Sequence, residues 1–459
     1  MTQKSSVNLG YLLLISLVAA FGGFLFGYDT AVVSGAIGFL KNHFQLNADL
    51  TGWAASSLLV GCMVGAMCGG PLGDRFGRKW CLLACGILFA ISSMASALSQ
   101  SLGQFAWSRF AGGMAIGAAS MLSPLYIAEI SPQKIRGTLV ALYQLAIVVG
   151  ILVVYFINQQ IQRLGSEAWG EEVGWRWMFA SLILPSMAFS LLMLLVPESP
   201  RWLMKMGRTQ PARTILERIG GAGNADREIR EIESTLREEE GRWAELFAPG
   251  CRRALVVGIL LAVFGQFSGI NAIIYYAPEI FKAAGSGLDA AFTQTVVVGA
   301  VNLAFTFVAI WLVDKAGRKP LLIAGTLVQF VALATVGTLF YLHQTGWLLL
   351  CGILLFTAAF AVAMGPIPWI VNSEIFPTKM RGRAMSLAIF ALWLADFAVT
   401  QTFPRLRETV GPAITFWVYA GCSIATTIFV IGWVPETKGR TLEEIERSWK
   451  TSHAHGGSR

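Results

Sequence analysis

Two ionisable residues stand in segments that are otherwise apolar, and their chemistry is that of proton exchange. Asp29 lies within FLFGYDTAVV, and Arg109 opens a second apolar stretch. An ionised carboxylate in the middle of a bilayer costs roughly 2.5–3.5 kcal/mol, so such residues are usually paired and functional. Burial favours a neutral carboxyl, whereas a nearby guanidinium favours the charged form. An Arg109 that moves relative to Asp29 would therefore let Asp29 bind and release a proton.

Polar residues also interrupt the apolar segment FGQFSGINAIIYY. Gln266 and Asn271 each offer hydrogen-bond donors and acceptors together, as the hydroxyl groups of a sugar do. Asn271 and Tyr275 are four residues apart and share one face of a helix. Gly265 and Gly269 loosen that helix, which allows polar side chains to face a cavity. The segment predicts a site for a polyhydroxy ligand, and hydrogen bonding between helices is the alternative.

A second interrupted helix is predicted just before Trp369, where the sequence reads GPIP. An indole ring packs on the C–H face of a sugar while its N–H remains free to donate. Gln144 and Asn302 place two further amides inside apolar segments. These three residues extend the predicted ligand site.

The elements that carry these residues are predicted to be membrane spans. Of 459 residues, 55% are hydrophobic and 14% charged, against roughly 25% charged in a soluble domain. Disorder and a disulfide scaffold are excluded by the apolar content and by only seven cysteines. Since a spanning helix needs about 20 apolar residues, the apolar runs predict twelve. The predicted ranges are 11–37, 50–71, 80–100, 104–129, 138–162, 176–196, 254–283, 291–313, 320–342, 346–374, 383–404 and 412–434.

Basic residues in the short loops predict the orientation, because cytoplasmic loops are enriched in Lys and Arg. The loops after spans 2, 4, 8 and 10 hold this excess: Arg75, Arg78, Lys79, Lys134, Arg136, Lys315, Arg318, Lys319, Lys379, Arg381 and Arg383. Both termini are then cytoplasmic, and the net charge of +8 needs no nucleic-acid partner. Compact loops favour a plasma membrane, and in particular a bacterial inner membrane.

The two halves of the chain repeat each other. GDRFGRK recurs as VDKAGRK, EISPQKIRG as EIFPTKMRG, and PESPRW as PETKGR, each at a nearly constant offset of about 240 residues. Such repeats predict an all-α membrane protein with two six-helix bundles, a pseudo-two-fold axis and a substrate site between them. The predicted divisions are 1–196 for the first bundle, 197–253 for a linker with short helices, 254–434 for the second bundle and 435–459 for a tail.

These motifs, with GWRWMF, PESPRWL, GQFSGINAIIYYAPEIF, MGPIPW and VPETKGRTLEEIE, resemble the sugar porter branch of the major facilitator superfamily across nearly the whole chain. The resemblance implies a carrier that moves a pentose or hexose by alternating access. It places Gln144, Gln266, Asn271, Asn302 and Trp369 at positions that contact sugar. Phe26, Tyr276 and Trp393 also resemble aromatic residues that line or gate the site, and packing in the core is the alternative for them.

The sequence departs from the family pattern at three positions. Gly265 stands where the family usually has Gln, and Leu392 where it commonly has Gln or Asn. Asp396, one turn beyond Leu392, stands where an amide is more usual, and we expect it to replace part of the missing hydrogen bonding. These differences affect the choice of sugar.

Charged residues of alternating sign recur at the predicted cytoplasmic face of both halves. They are Asp74, Arg78, Glu129, Arg136, Glu198, Arg201, Asp314, Arg318, Glu374, Arg381 and Glu436. Exposed ion pairs are worth only about 0–1 kcal/mol each, so several together can close a face reversibly. The resemblance implies the same role, a cytoplasmic gate that stabilises the outward-facing state.

The resemblance also bears on the energy source, because proton-coupled sugar porters carry Asp where this chain has Asp29. We therefore expect an importer of a monosaccharide with a proton, monomeric in the lipid bilayer, with no cofactor or metal. A facilitative uniporter with a structural Asp29–Arg109 pair is the main alternative. A sugar sensor and a cation or drug exporter are disfavoured, the first by the short tail and the second by the scarcity of acidic lining residues. An enzyme is disfavoured because no catalytic set converges on any of the four histidines.

Overall fold

The computed structural model describes residues 8–132, 135–237, 246–344, 346–376 and 380–438, with the side chains at 235–237, 249–250, 314 and 381 outside the description. Lys134, Lys379 and the predicted tail beyond residue 438 therefore lie outside the described residues, as do the side chains of Asp314 and Arg381.

Within this part of the chain, twelve helical stretches are long and apolar enough to cross a membrane, which confirms the predicted number. Spans 1 to 12 are Leu9–His43, Ala48–Phe76, Arg78–Leu98, Leu102–Ile130, Arg136–Gln162, Glu167–Leu195, Cys251–Ala283, Leu288–Val313, Arg318–Tyr341, Trp347–Ile375, Gly382–Thr409 and Gly411–Trp433.

Span 6 begins nine residues before the predicted start at residue 176, because local hydrogen bonds extend it through a polar segment. The Ser166 side chain caps the first turn by accepting from the Trp169 N–H. A π-helical turn at Gly170–Gly174 then joins this turn to Trp175–Ala180. Because that turn contains Glu171 and Glu172, the search for apolar runs does not detect the helix there.

The polar segment between spans 6 and 7 folds into short helices, as predicted. They are Pro200–Lys205, Thr209–Gly220 and Ala222–Arg237. The first begins with a Ser199 hydroxyl that accepts from the Trp202 N–H. Trp202, Leu203 and Met204 form a small apolar cluster with Ala212 of the second helix, so the linker has its own core.

Spans 7 and 10 are interrupted where glycine and proline occur. Span 7 lies within two helices, Pro249–Phe267 and Ile270–Ala283, which are separated at Gly269, whose φ of 84° is left-handed. Glycine tolerates this conformation without a Cβ penalty. Span 10 consists of Trp347–Val362 and Ile367–Ile375. Interrupted spans free backbone groups and place side chains at the break, which is usual where a span lines a binding cavity.

The chain groups into two compact units. The first comprises Met1–Thr30, Gly61–Ile151 and Phe179–Glu239. The second comprises Ala31–Val60, Leu152–Met178 and Glu240–Arg459. The second unit thus contains spans 7 to 12 together with parts of spans 1, 2, 5 and 6.

Small residues allow spans 2 and 4 of the first unit to pack with their backbones in contact. A Cβ atom on Gly61 or Gly65 would meet the carbonyl of Phe110 or Met114, and a Cβ on Gly117 would meet the Cys62 carbonyl. Close backbone approach at small residues is a usual basis of helix association in membranes.

We predict that Gly117→Ala lowers the thermal unfolding midpoint of the purified protein in detergent. The added methyl group must push span 2 away, and overpacking of this kind typically costs about 1–3 kcal/mol. Gly421→Ala is the matched control, because a Cβ there meets no described atom within 4 Å. Equal midpoints for the two variants would contradict the proposed packing.

Candidate functional site

Asp29 and Arg109 form a buried ion pair between spans 1 and 4 of the first unit. Their side chains are 0% and 2% exposed. One guanidinium nitrogen pairs with the Asp29 carboxylate, and the other donates to the Asp29 carbonyl at 2.8 Å. The guanidinium also lies over the Phe179 ring, 5.1 Å from its centroid. A Cβ on Gly112, one turn after Arg109, would come within 3.1 Å of Asp29 Oδ2, so glycine there makes room for the carboxylate.

A hydrogen-bonded cluster of amides, an acid and a phenol lies in the second unit. The Asn271 amide donates to Gln266 Oε1 at 2.6 Å, across the break in span 7. The Tyr275 hydroxyl donates to Asp396 Oδ2 at 3.2 Å, and the Asn271 side chain lies close enough to that carboxyl to act on it electrostatically. The left-handed turn at Gly269 allows Gln266 and Asn271, on separate helical segments, to meet. We call these four residues the amide–acid cluster.

The other predicted ligand residues are distributed over both units. In the second unit, Asn302 and Trp393 are buried on spans 8 and 11, and Trp369 is 37% exposed after the break in span 10. Tyr276 is buried on span 7, where its hydroxyl donates to the Thr400 carbonyl at 3.0 Å. Gln144 and Phe26 are half-buried on spans 5 and 1 of the first unit.

Charged residues bind one another at the start of span 3 in the first unit. Arg78 holds Glu129 in a fork, with both N–H···O distances at 3.0 Å, and also pairs with Asp74 at 2.9 Å. The Ser199 hydroxyl donates to Glu129 at 2.5 Å. Bidentate pairs of this type are the stronger and more directional ion pairs.

The same arrangement recurs at the start of span 9 in the second unit. Arg318 donates to Glu374 at 3.1 Å. Glu198 Oε1 accepts from the backbone N–H groups of Arg78 and Lys79 at 3.0 and 3.1 Å, and Glu436 accepts from Arg318 and Lys319, both at 3.1 Å. The two glutamates therefore cap the N-termini of spans 3 and 9, where a negative charge is favourable. The sequence repeat identified these residues but not their capping role.

The two caps differ electrostatically although their contacts match. Burial raises the pKa of Glu198 despite its backbone donors. Burial also acts to raise the pKa of Glu436, but backbone N–H groups outweigh it and hold that pKa below its ordinary value. Of the remaining charges predicted here, Arg136 donates to the Ser131 carbonyl at 3.3 Å, and Arg201 is exposed.

Sequence reasoning missed a set of contacts at the distal ends of the spans. The distal ends are the C-terminal ends of the odd-numbered spans and the N-terminal ends of the even-numbered spans. These contacts all lie in the second unit. The ion pairs are Lys41–Glu408 at 3.1 Å, Arg163–Asp289 at 2.8 Å and Arg405–Asp49 at 3.5 Å. Beneath them, the Tyr155 hydroxyl donates to the Ile274 carbonyl at 2.8 Å. Each contact joins span 1, 2 or 5 to span 7, 8 or 11.

Twelve spans, with spans 7 and 10 interrupted at glycine and proline, and a buried Asp–Arg pair define a polytopic carrier, and comparison with known proteins identifies its family. The model of the sugar (and other) transporter family matches residues 15–449. The chain belongs to this family.

Individual relatives cover the whole length. The chain is 47% identical to the arabinose-proton symporter of Bacillus subtilis, covering 97% of this chain and 96% of that protein. It is 41% identical to the D-xylose-proton symporter of Escherichia coli, covering 98% of both. The fold matches the partially occluded inward-open conformation of the xylose transporter XylE from E. coli with a TM-score of 0.86, at 39% identity, over 94% of this chain and 100% of that one. The predicted fold class and the transporter class are thereby confirmed.

We predict that Asp29→Asn destabilises the protein by about 3–5 kcal/mol, because it leaves the Arg109 charge buried without its partner. The double variant Asp29→Asn/Arg109→Gln should lose less than the sum of the two single variants. Thermal and denaturant unfolding in detergent measure both effects. Glu217→Gln, which breaks the exposed pair with Arg213, should leave the midpoint unchanged. Additive losses for the two single variants would contradict a coupled buried pair.

Proposed function

We propose that the protein imports a monosaccharide together with a proton by alternating access. The observation that carries this proposal is the buried Asp29–Arg109 pair in a chain of the sugar transporter family. The names of the two relatives, an arabinose-proton and a D-xylose-proton symporter, support a pentose or hexose as the substrate.

The amide–acid cluster supports a role in sugar binding. Gln266 and Asn271 satisfy each other in this structure, and a sugar hydroxyl can donate to one and accept from the other in place of that bond. Trp369 is exposed enough to pack on a sugar ring. The remaining ligand or lining residues in the proposal are Gln144, Tyr275, Tyr276, Asn302, Trp393, Phe26 and Asp396.

The ion pair supplies the coupling. Separation of Asp29 from Arg109 would leave a carboxylate in a medium of low dielectric, so the two separate readily only when Asp29 is protonated. A proton that crosses about 100 mV contributes roughly 2.3 kcal/mol. At about 1.4 kcal/mol per tenfold, one proton supports sugar accumulation of the order of 50-fold.

The charged clusters at the two ends of the spans are proposed as gates. The bundles are the two sequence halves, 1–196 and 254–434, with both termini cytoplasmic. The predicted cytoplasmic gate includes Asp314 and Arg381, whose side chains lie outside the described residues, together with the paired charges of spans 3 and 9. The distal ion pairs then lie on the outer face and hold it closed.

We propose a monomer in a bacterial inner membrane.

Sugar-dependent proton entry into proteoliposomes tests the coupling. We predict that Asp29→Asn still exchanges labelled sugar across the membrane but no longer accumulates it, because it cannot carry the proton. Asp226→Asn, on an exposed linker helix, is the control and should accumulate sugar normally. Sugar equilibration without proton entry by the unaltered protein would instead establish facilitative uniport.

We predict that Lys41→Glu opens the outer face more often, because it places two carboxylates at the Lys41–Glu408 contact. An exposed pair of up to about 1 kcal/mol shifts the open population by up to about fivefold. Thr51→Cys, buried on span 2 of the same unit, reports opening through its rate of labelling by an impermeant thiol reagent, with exposed Cys68 and Cys351 replaced by Ser.

The swapped variant Lys41→Glu/Glu408→Lys is the matched control for that experiment and should return the labelling rate towards that of the parent. Unchanged labelling in the single variant would show that this pair does not hold the outer face closed.

A further inference from the structure

We propose that Asp396 is a second titratable group in the sugar site, and that its carboxyl must carry a proton when sugar binds. This inference rests on the proposed function and deepens it. It makes the affinity for sugar depend on pH through a residue other than Asp29.

Among the described residues, the hydrogen-bond partners of Asp396 are uncharged groups. The side chain is 1% exposed on span 11. Its Oδ1 accepts from the Thr400 hydroxyl at 3.0 Å, and its Oδ2 lies 3.2 Å from Tyr275 Oη. Asn271, which is bonded to Gln266, completes the set. In the proposed site, the Asp396 carboxyl therefore belongs to the amide–acid cluster that contacts the sugar.

Titratable side chains of spans 7, 11 and 12 lie in the region of Asp396. Within the described residues, none of the groups that hydrogen-bond Asp396 is a cation. Span 7 contributes the phenols of Tyr275 and Tyr276, and the phenol of Tyr419 on span 12 interacts with Tyr276. Arg407 is on span 11 itself, eleven residues further on, which is about 16 Å along a helix. Its guanidinium donates to the Glu279 carbonyl at 3.4 Å and acts electrostatically on Tyr276, as Asp396 does, but it is not among the hydrogen-bond partners of Asp396.

The contrast with Asp29 gives the physical reason for the proton. Asp29 has a guanidinium in direct contact, whereas Asp396 is equally buried among neutral donors. Hydrogen bonds donated by neutral groups favour the ionised form of a carboxyl, but they do not replace the water and the opposite charge that this form loses on burial, so burial without a cation favours the neutral form. A protonated carboxyl offers one donor and an acceptor together, which is the hydrogen-bonding inventory of the amide more usual at this position, while an ionised one only accepts.

Sugar binding then becomes linked to one proton. In the proposal the bound sugar accepts a hydrogen bond that only the protonated carboxyl of Asp396 can donate, so sugar binding disfavours the ionised form. Binding is complete at low pH, where the carboxyl is already protonated, and weakens as rising pH ionises it in the empty site. A single linked proton limits the slope to about tenfold in affinity per pH unit.

The test uses the purified full-length Asp29→Asn variant, in which Asp29 no longer titrates. Affinities for L-arabinose and D-xylose are measured calorimetrically between pH 6 and 9, in buffers of different ionisation enthalpy that report proton uptake. We expect affinity to fall at alkaline pH by up to about tenfold per unit, with up to one proton taken up per sugar. In Asp29→Asn/Asp396→Asn, the affinity should be independent of pH and the proton uptake should vanish.

The control is Asp29→Asn/Asp226→Asn, which should behave as Asp29→Asn alone. If that Asp396 double variant does not fold or bind, Asp29→Asn/Asp396→Ser takes its place, and its affinity should likewise be independent of pH without proton uptake. A pH-independent affinity without proton uptake in Asp29→Asn, or uptake that persists in the Asp396 double variant, would overturn the inference. Failure of the unaltered protein to bind either sugar at any pH would overturn the proposed function and the inference with it.

Discussion

A charge inside a bilayer must have a partner, and this requirement governs the interior of the protein. Asp29 and Arg109 meet it through direct pairing, a second bond to the Asp29 carbonyl and the ring of Phe179. Gly112 keeps the space that the carboxylate occupies. Because either charge alone would be costly in this environment, the proposed mechanism ties movement of spans 1 and 4 to the protonation of Asp29. In that proposal the coupling follows from electrostatics rather than from a specialised domain.

The same requirement has a different solution at Asp396. Within the described part of the chain, this carboxyl accepts hydrogen bonds from the hydroxyl groups of Tyr275 and Thr400 rather than from a cation. Two buried acids thus stand in different compact units with different surroundings. In the proposals made above, the first exchanges its proton as an arginine moves, and the second holds its proton while a ligand binds.

The charge clusters at the starts of spans 3 and 9 each connect several helices through a few side chains. Arg78 binds Glu129 of span 4, and Arg318 binds Glu374 of span 10. Glu198 and Glu436 cap the N-termini of spans 3 and 9. These contacts are within a unit, so they fix the loops of each half. The pKa of Glu198 is raised, whereas the pKa of Glu436 is lowered, because Glu198 is the more deeply buried of the two. The two caps therefore differ in their affinity for protons although their hydrogen bonds match.

The amino-acid sequence by itself determined the spans, the repeat, the family and the interruption at Gly269, because hydropathy, loop charge and glycine or proline content act locally along the chain. It also identified Asp29 and Arg109 as residues too costly to bury without a function. It did not predict that Lys41 meets Glu408 or that Tyr275 meets Asp396, which lies 121 residues away. Those contacts depend on how distant spans approach one another. Side-chain packing between helices sets that approach, and only the tertiary structure decides it.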